Sequence, residues 1–151
     1  MAHVTLRDNL YWQLFRFAIN AKHSLMTVAE KYKLTVMQMY TLCLLEADTA
    51  IPMNSLTSML HCDASNVTGI VDRLFNQKYI KREENPQDRR AKLIKLTAKG
   101  AKLCEKITET LTLYQPANIR ELSETEKKQL VSLLNTTNFD KPTSISSIIK
   151  H

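Results

Sequence analysis

Two glycines in 151 residues, Gly69 and Gly100, restrict this chain more than any other feature of its sequence. An average chain of this length carries roughly ten. Phosphate-cradling loops need several closely spaced glycines so that the backbone can wrap an anion, so P-loop and dinucleotide-binding chemistry are both excluded. Turn-rich all-β folds draw on glycine for positive φ and are disfavoured for the same reason. The length suits one domain, or one protomer of an oligomer. With 44% apolar and 24% charged residues, the chain can bury a core and is not of disordered composition.

Apolar residues recur at helical spacing through much of the sequence. Leu10, Leu14, Phe17, Ala18, Ala21, Leu25 and Val28 mark one face of a long helix over about 5–32, and Phe15, Ile19 and Ala29 widen it. So broad a stripe needs more than one covering partner, either the chain's own core or a second subunit. Thr35 and Gln38 form a T-x-x-Q capping box, with Leu34 and Met39 as its staple, ahead of a helix over 36–47. The run Asp48-Thr49-Ala50-Ile51-Pro52 breaks that helix, and a short one follows over 53–60. His61-Cys62 makes a tight turn. Asp63 then caps a helix over 64–77 that buries Val67, Ile70, Val71 and Leu74.

Beyond Lys78 the pattern changes. Tyr79–Arg82 and Ala91–Leu96 read as antiparallel strands joined by a polar loop over 84–90 that contains Pro86. Thr97 caps the next helix, with Leu103, Ile107, Leu111 and Tyr114 on one side, and Pro116 ends it. Ser123 and Glu126 form a second capping box before Leu130, Leu133 and Leu134. Phe139 to His151 has no clear pattern. Two short helices about a tight turn, followed by a hairpin, make a winged helix-turn-helix, whose second helix is shaped to enter a major groove.

The charge falls in the same place. The net charge is +6, with a pI near 9.3. From Arg73 to Lys102 there are ten bases against three acids, while the other 121 residues hold eleven bases and twelve acids. The whole positive excess therefore lies in one 30-residue stretch. Such a stretch is either a solvated face or a phosphate-contacting surface.

The run DASNVTGIVDRLFNQKYIKREENPQDRRAKLIKLTAKG resembles the recognition helix, wing and following helix start of the MarR family of bacterial transcriptional regulators. The residues that carry the resemblance are Val67, Thr68, Val71, Asp72, Leu74, Arg82, Asp88, Arg89, Arg90, Leu96, Thr97 and Gly100. Tyr79 stands where the family usually has a glycine at the end of the recognition helix. The resemblance implies a mainly α fold: a winged helix-turn-helix with a two-stranded wing over 35–97, and a helical dimerisation region over 1–34 and 98–151. It also implies a homodimer on double-stranded DNA, with half-sites about 10 base pairs apart in a pseudo-palindromic operator.

Roles for single residues follow. Ser65, Asn66, Thr68, Gly69 and Arg73 lie on the polar side of the recognition helix. Asn66 suits a bidentate contact with adenine, and Gly69 permits close approach to the duplex. Asp63 is a cap, since a carboxylate repels phosphate. The resemblance places Arg89 at the wing tip, in a minor groove where the potential is most negative. Asp88 would pin the loop through Arg89 or Arg90. Arg90, Lys92, Lys81 and Arg82 contact phosphates or support the wing, with Arg82 equally able to pair inside it. Asn54 and Ser55 offer helix N-terminal amides to the backbone. Phe15, Met37, Met39 and Tyr40 are candidate walls of a small-ligand pocket.

Cys43, Cys62 and Cys104 include no C-x-x-C pair, so neither a disulfide framework nor a common zinc module is expected. Some relatives in the family sense peroxide with a cysteine near the start of the first helix, where this chain has none. Cys43 is expected to be buried, and Cys62 lies beside the recognition helix N-terminus, a place that lowers thiol pKa values. Packing is the default for all three; His61-Cys62 is too sparse for a metal site, and His3 and His23 lack an evident set of metal partners. No signal peptide or membrane span is expected, and the odd cysteine count suits the cytoplasm. No cofactor loop, nucleophile–base pair or paired carboxylate suggests an enzyme. The leading expectation is a DNA-binding transcriptional regulator, a repressor relieved by a small ligand. The alternatives are a winged-helix protein–protein module and a redox- or metal-sensing regulator of the same family.

Overall fold

The structure, a computed structural model, describes residues 6–88 and 91–136. The chain divides into two units, one up to Pro116 and one from Ala117 onward.

In the first unit a 3-10 turn, Leu6–Asp8, leads to Asn9, whose side chain accepts from the Trp12 N–H and caps α1, Leu10–Lys31. The helix thus starts some residues later than its apolar periodicity alone suggests. Next come α2 (Val36–Leu44), β1 (Ile51–Pro52), α3 (Met53–Leu60), α4 (Ala64–Asn76), β2 (Ile80–Glu84), β3 (Lys92–Leu96) and α5 (Ala98–Leu113). The Thr35–Gln38 capping box is complete in both directions. At its other end α2 stops at Leu44 rather than reaching 47, and Leu45 is already extended.

The sheet has three strands in the order β1-β3-β2, all antiparallel. The expected two-stranded wing thus gains a third strand from residues read only as a helix breaker. Ile51 pairs with Ile94 and Pro52 with Leu93 at the sheet edge, where a missing N–H is tolerated. Between β2 and β3 the register places Ile80 opposite Leu96, Arg82 opposite Ile94, and Glu84 opposite Lys92.

One core joins these elements. Leu42, Leu56, Val67, Val71, Leu74, Ile94 and Ile107 are fully buried, with Val28 and Ala29 from the end of α1 among them. Leu25 packs against this core, whereas toward the start of α1 Leu10, Tyr11, Phe15 and Ile19 are each more than half exposed. In the second unit a short α6, Ala117–Arg120, precedes α7, Glu124–Thr136, which Ser123 and Glu126 cap reciprocally. Val131 and Leu133 are exposed on α7.

The scarcity of glycine has a direct backbone consequence. Among the described residues neither glycine has positive φ, while Lys33 (φ 56°), His61 (φ 48°) and Lys78 (φ 62°) do. Each stands at the end of a helix. The end of α4 is a Schellman turn: the Lys78 N–H donates to the Phe75 carbonyl at 2.9 Å and the Tyr79 N–H to the Leu74 carbonyl at 3.0 Å. The left-handed position is therefore Lys78. The reading that put the missing glycine at Tyr79 is off by one residue, because the turn needs its positive φ at the residue just past the cap, Gln77.

Candidate nucleic-acid interface

Helix α4 separates its two faces cleanly. Val67, Val71 and Leu74 are buried, while Ser65, Asn66, Thr68, Gly69 and Arg73 are all exposed on the opposite side. A cleft runs along each flank of that exposed face. One, of about 460 Å³, lies between α3, α4 and the wing, with Asn54, Thr57, Thr68, Asp88 and Lys92 among its walls. The other, of about 350 Å³, separates α4 from α2 and is lined by Met37, Cys62, Ser65, Asn66 and Arg73 among others. The exposed face of α4 thus stands as a ridge between two grooves.

At the start of the ridge the side chains are tied down. Asp63 accepts from the Asn66 backbone N–H at 2.9 Å and from the Ser65 hydroxyl at 2.6 Å through Oδ1, and from the Asn66 side-chain amide at 2.7 Å through Oδ2. These bonds, that from Ser65 foremost, hold the Asp63 carboxyl below the usual carboxylate range. The expectation that Asp63 is a cap is met. In addition it engages the Ser65 hydroxyl and the Asn66 side-chain amide N–H. The Thr68 hydroxyl donates to the Ala64 carbonyl at 2.8 Å. Around Gly69 nothing lies within 4 Å of where a Cβ would stand.

The base of the wing is fixed to α4. Arg82 on β2 forms an ion pair with Asp72 on α4, and its guanidinium lies 5.0 Å from the centre of the Phe75 ring. Sequence reasoning left Arg82 between phosphate contact and a pair inside the wing; its partner is on the helix instead. Both residues belong to the motif that carried the family resemblance, and in this chain their pairing ties the wing to α4. Lys81 pairs with Glu83 at 2.6 Å, and Lys92 with Glu84 at 3.4 Å. Lys81 is the first cause holding Glu83 below its ordinary pKa. The Asp88 carbonyl accepts from the Ala91 N–H at 2.9 Å and turns the loop. Arg89 and Arg90, the expected wing tip, lie outside the described residues.

The far end of α4 is held by α5. The Thr97 hydroxyl donates to the Lys78 carbonyl at 2.8 Å, and Lys99 Nζ donates to the Gln77 carbonyl at 2.9 Å while lying 4.6 Å from the Tyr79 ring centre. Lys99 therefore belongs to the helix-end clamp, a role that counting charges did not suggest. A cation against terminal carbonyls complements the helix dipole.

The residues expected to wall a ligand pocket stand in different settings. Met37 lines the cleft beside α4, but Met39 is 3% exposed in the core. Phe15 stacks on Trp12 with ring centres 5.7 Å apart, and Tyr40 is exposed. Asn54 is exposed and Ser55 half-buried in the first turn of α3, which has no side-chain cap. Cys43 is exposed, not buried as its helical position suggested. No helix among the described residues is long and apolar enough to cross a membrane, and they contain no cluster of three or more metal-binding side chains.

Comparison with known proteins agrees with this geometry. Residues 34–92 match the MarR family. The chain is 36% identical over 72 residues to the multiple antibiotic resistance protein MarR of Salmonella typhimurium, a match covering 48% of this chain and 50% of that one. It thus spans about half the length of the curated relatives it matches first. Among solved structures, wild-type apo MarR from E. coli superposes with a TM-score of 0.69 at 26% identity, covering 83% of this chain and 94% of that one. The transcriptional repressor CouR, solved bound to a 23-mer DNA duplex, shares the fold with a TM-score of 0.74 at 22% identity, covering 90% and 96%. Over residues 34–92 the helix-turn-helix and wing are thus similar to the MarR family in sequence, and the chain shares the winged-helix fold of MarR structures.

Proposed function

We propose that the protein is a sequence-specific DNA-binding transcriptional regulator, a repressor that binds a pseudo-palindromic operator as a homodimer. The observation that carries the reading is the ridge of α4: a polar face of Ser65, Asn66, Thr68, Gly69 and Arg73, clear of its neighbours on both flanks. A major groove about 12 Å wide accepts a helix only when it stands proud in this way. In this reading Asn66 and Ser65 exchange Asp63 for base edges. Asp88, Arg89, Arg90 and Lys92 bring the wing to the adjacent minor groove, and Lys81, Asn54 and Ser55 meet phosphates. The duplex-bound fold of CouR supports the placement at the level of fold.

The exposed apolar side chains of α1 and α7 support the dimer, since large uncovered apolar patches mark association surfaces. The reading places the dimerisation region at 1–34 and 98–151 and the DNA-binding region at 35–97. A small ligand would relieve repression by favouring a spacing of the two recognition helices that fits DNA poorly. The protein is read as non-enzymatic and cytoplasmic.

Selection of binding sites from random duplexes with the purified protein tests this. A recovered site with two inverted half-sites about 10 base pairs apart is the expected result. Recovery of no preferred sequence, together with a salt slope near zero, would instead favour a winged-helix module for an acidic protein partner.

A further inference from the structure

Helices α2 and α5 pack directly against one another, and each brings a cysteine to the contact. Cys43 is exposed on α2. Cys104, on α5, is partly buried and donates its S–H to the Leu42 carbonyl, the residue next to Cys43, at 3.3 Å. The Cys104 sulfur thus lies against the residue that precedes Cys43, and the two thiols shift one another's pKa in opposite directions. A surface cleft of about 460 Å³ opens onto Cys104, lined by Leu45, Leu96 and Ala101 and by the carboxylate residues Glu105 and Glu109. An exposed thiol, a neighbouring thiol and an open approach are what a two-step thiol oxidation needs.

We propose that Cys43 and Cys104 are an oxidisable pair that closes into an intramolecular disulfide on reaction with a hydroperoxide, joining α2 to α5. The inference does not depend on the DNA-binding reading. The two thiols are unequal. The neighbouring Cys104 thiol holds Cys43 below the usual thiol range, whereas the same neighbour, and then burial, push Cys104 up. Cys43 is therefore the attacking thiolate and Cys104 the resolving thiol.

In the first step the Cys43 sulfur attacks the peroxide. An S–O bond forms, the O–O bond breaks, and the departing alkoxide takes up a proton to leave as an alcohol. Cys43 is oxidised by two electrons to a sulfenic acid. In the second step the Cys104 sulfur attacks the Cys43 sulfur, the S–S bond forms, the S–O bond breaks, and hydroxide leaves with the Cys104 proton as water. The sum is two thiols and one hydroperoxide giving one disulfide, one alcohol and one water.

The test treats the full-length reduced protein with stoichiometric hydrogen peroxide, then maps peptides under non-reducing conditions. The expected product is a monomer-linked peptide pair containing Cys43 and Cys104, lighter by two hydrogens. Cys104→Ser should accumulate a dimedone-reactive sulfenic acid at Cys43, formed severalfold faster than any at Cys62. Cys43→Ser should lose the disulfide. Because Cys43 is exposed, its serine variant retains the fold, which circular dichroism verifies. Preferential oxidation of Cys62, a cross-link between chains, or equal rates at all three thiols would overturn the pairing.

Discussion

Gly100, in the first turn of α5, lies so close to the carbonyl of Tyr79 that a Cβ there would stand 2.0 Å from the oxygen. The oxygen cannot yield easily. It also accepts the Thr97 N–H at 3.0 Å, and the residue before it, Lys78, holds the left-handed turn that ends α4. Gly100→Ala must push α5 away from the wing base. The expected cost is at the upper end of overpacking, about 2–3 kcal/mol. Equilibrium urea unfolding measures it, and an unchanged midpoint would mean that this junction is slack.

Gly69 behaves oppositely. It is in the interior of α4 with open space around it, so nothing in the fold requires a glycine there. Gly69→Ala should raise stability by about 1 kcal/mol through helix propensity alone. If α4 enters a groove with its backbone close to the duplex, the added methyl should also weaken operator binding at least tenfold. A variant that is more stable and binds equally well would remove Gly69 from the interface.

Lys78 carries a backbone conformation that L side chains adopt at a cost. Replacing it with glycine relieves that cost but adds freedom to the unfolded chain. The net expectation for Lys78→Gly is a gain of roughly 0.5–1 kcal/mol in thermal or urea unfolding. Tyr79→Gly should give no such gain, since Tyr79 is not left-handed and its ring faces Lys99. The reverse ranking would contradict the placement of the turn.

Which features were legible in the sequence depends on how local their causes are. The Thr35–Gln38 box, the Asp63 and Thr97 caps and the His61 turn each depend on residues within four positions of one another, so spacing alone identifies them. Strand β1 is two residues long and exists only because β3 lies beside it, which no local pattern records. The charge count marked one basic segment but could not say which of its cations are paired within the chain. Arg82 has found Asp72, Lys81 has found Glu83, and Lys99 caps α4, through contacts set by how helix, strand and α5 meet. The exposure of Cys43 and its meeting with Cys104 likewise come from packing between elements far apart in sequence.

Asp63 links pH to the recognition helix. Its folded pKa is depressed, so its contribution to stability is present above the unfolded value near 4 and is lost as pH falls through the lower folded value. Asp63→Ala should lower the thermal midpoint at pH 7, and its deficit against the parent protein should shrink as pH falls through the depressed folded pKa. The same variant frees Ser65 and Asn66. If their bonds to Asp63 must break before bases are read, operator association should become faster even though the helix start is weaker. Slower association would show instead that Asp63 presents the two side chains in their reading geometry.

Lys99 separates the two things a lysine in a basic segment can do. Its Nζ is 2.9 Å from the Gln77 carbonyl, at the end of α4 farthest from Asp63, and the Tyr79 ring lies beneath it. A lysine that touches phosphate releases a counterion, and its loss reduces the slope of log K against log salt by about one. A lysine that steadies a helix end has no such signature. Lys99→Met keeps the stem and removes the charge. It should lower stability by roughly 0.5–1 kcal/mol, as expected for a cation at a helix C-terminus, and weaken operator binding with the salt slope unchanged. A slope reduced by a full unit would place Lys99 on the duplex. The end of α4 would then be held by Thr97 alone of these two side chains, through its hydroxyl to the Lys78 carbonyl at 2.8 Å.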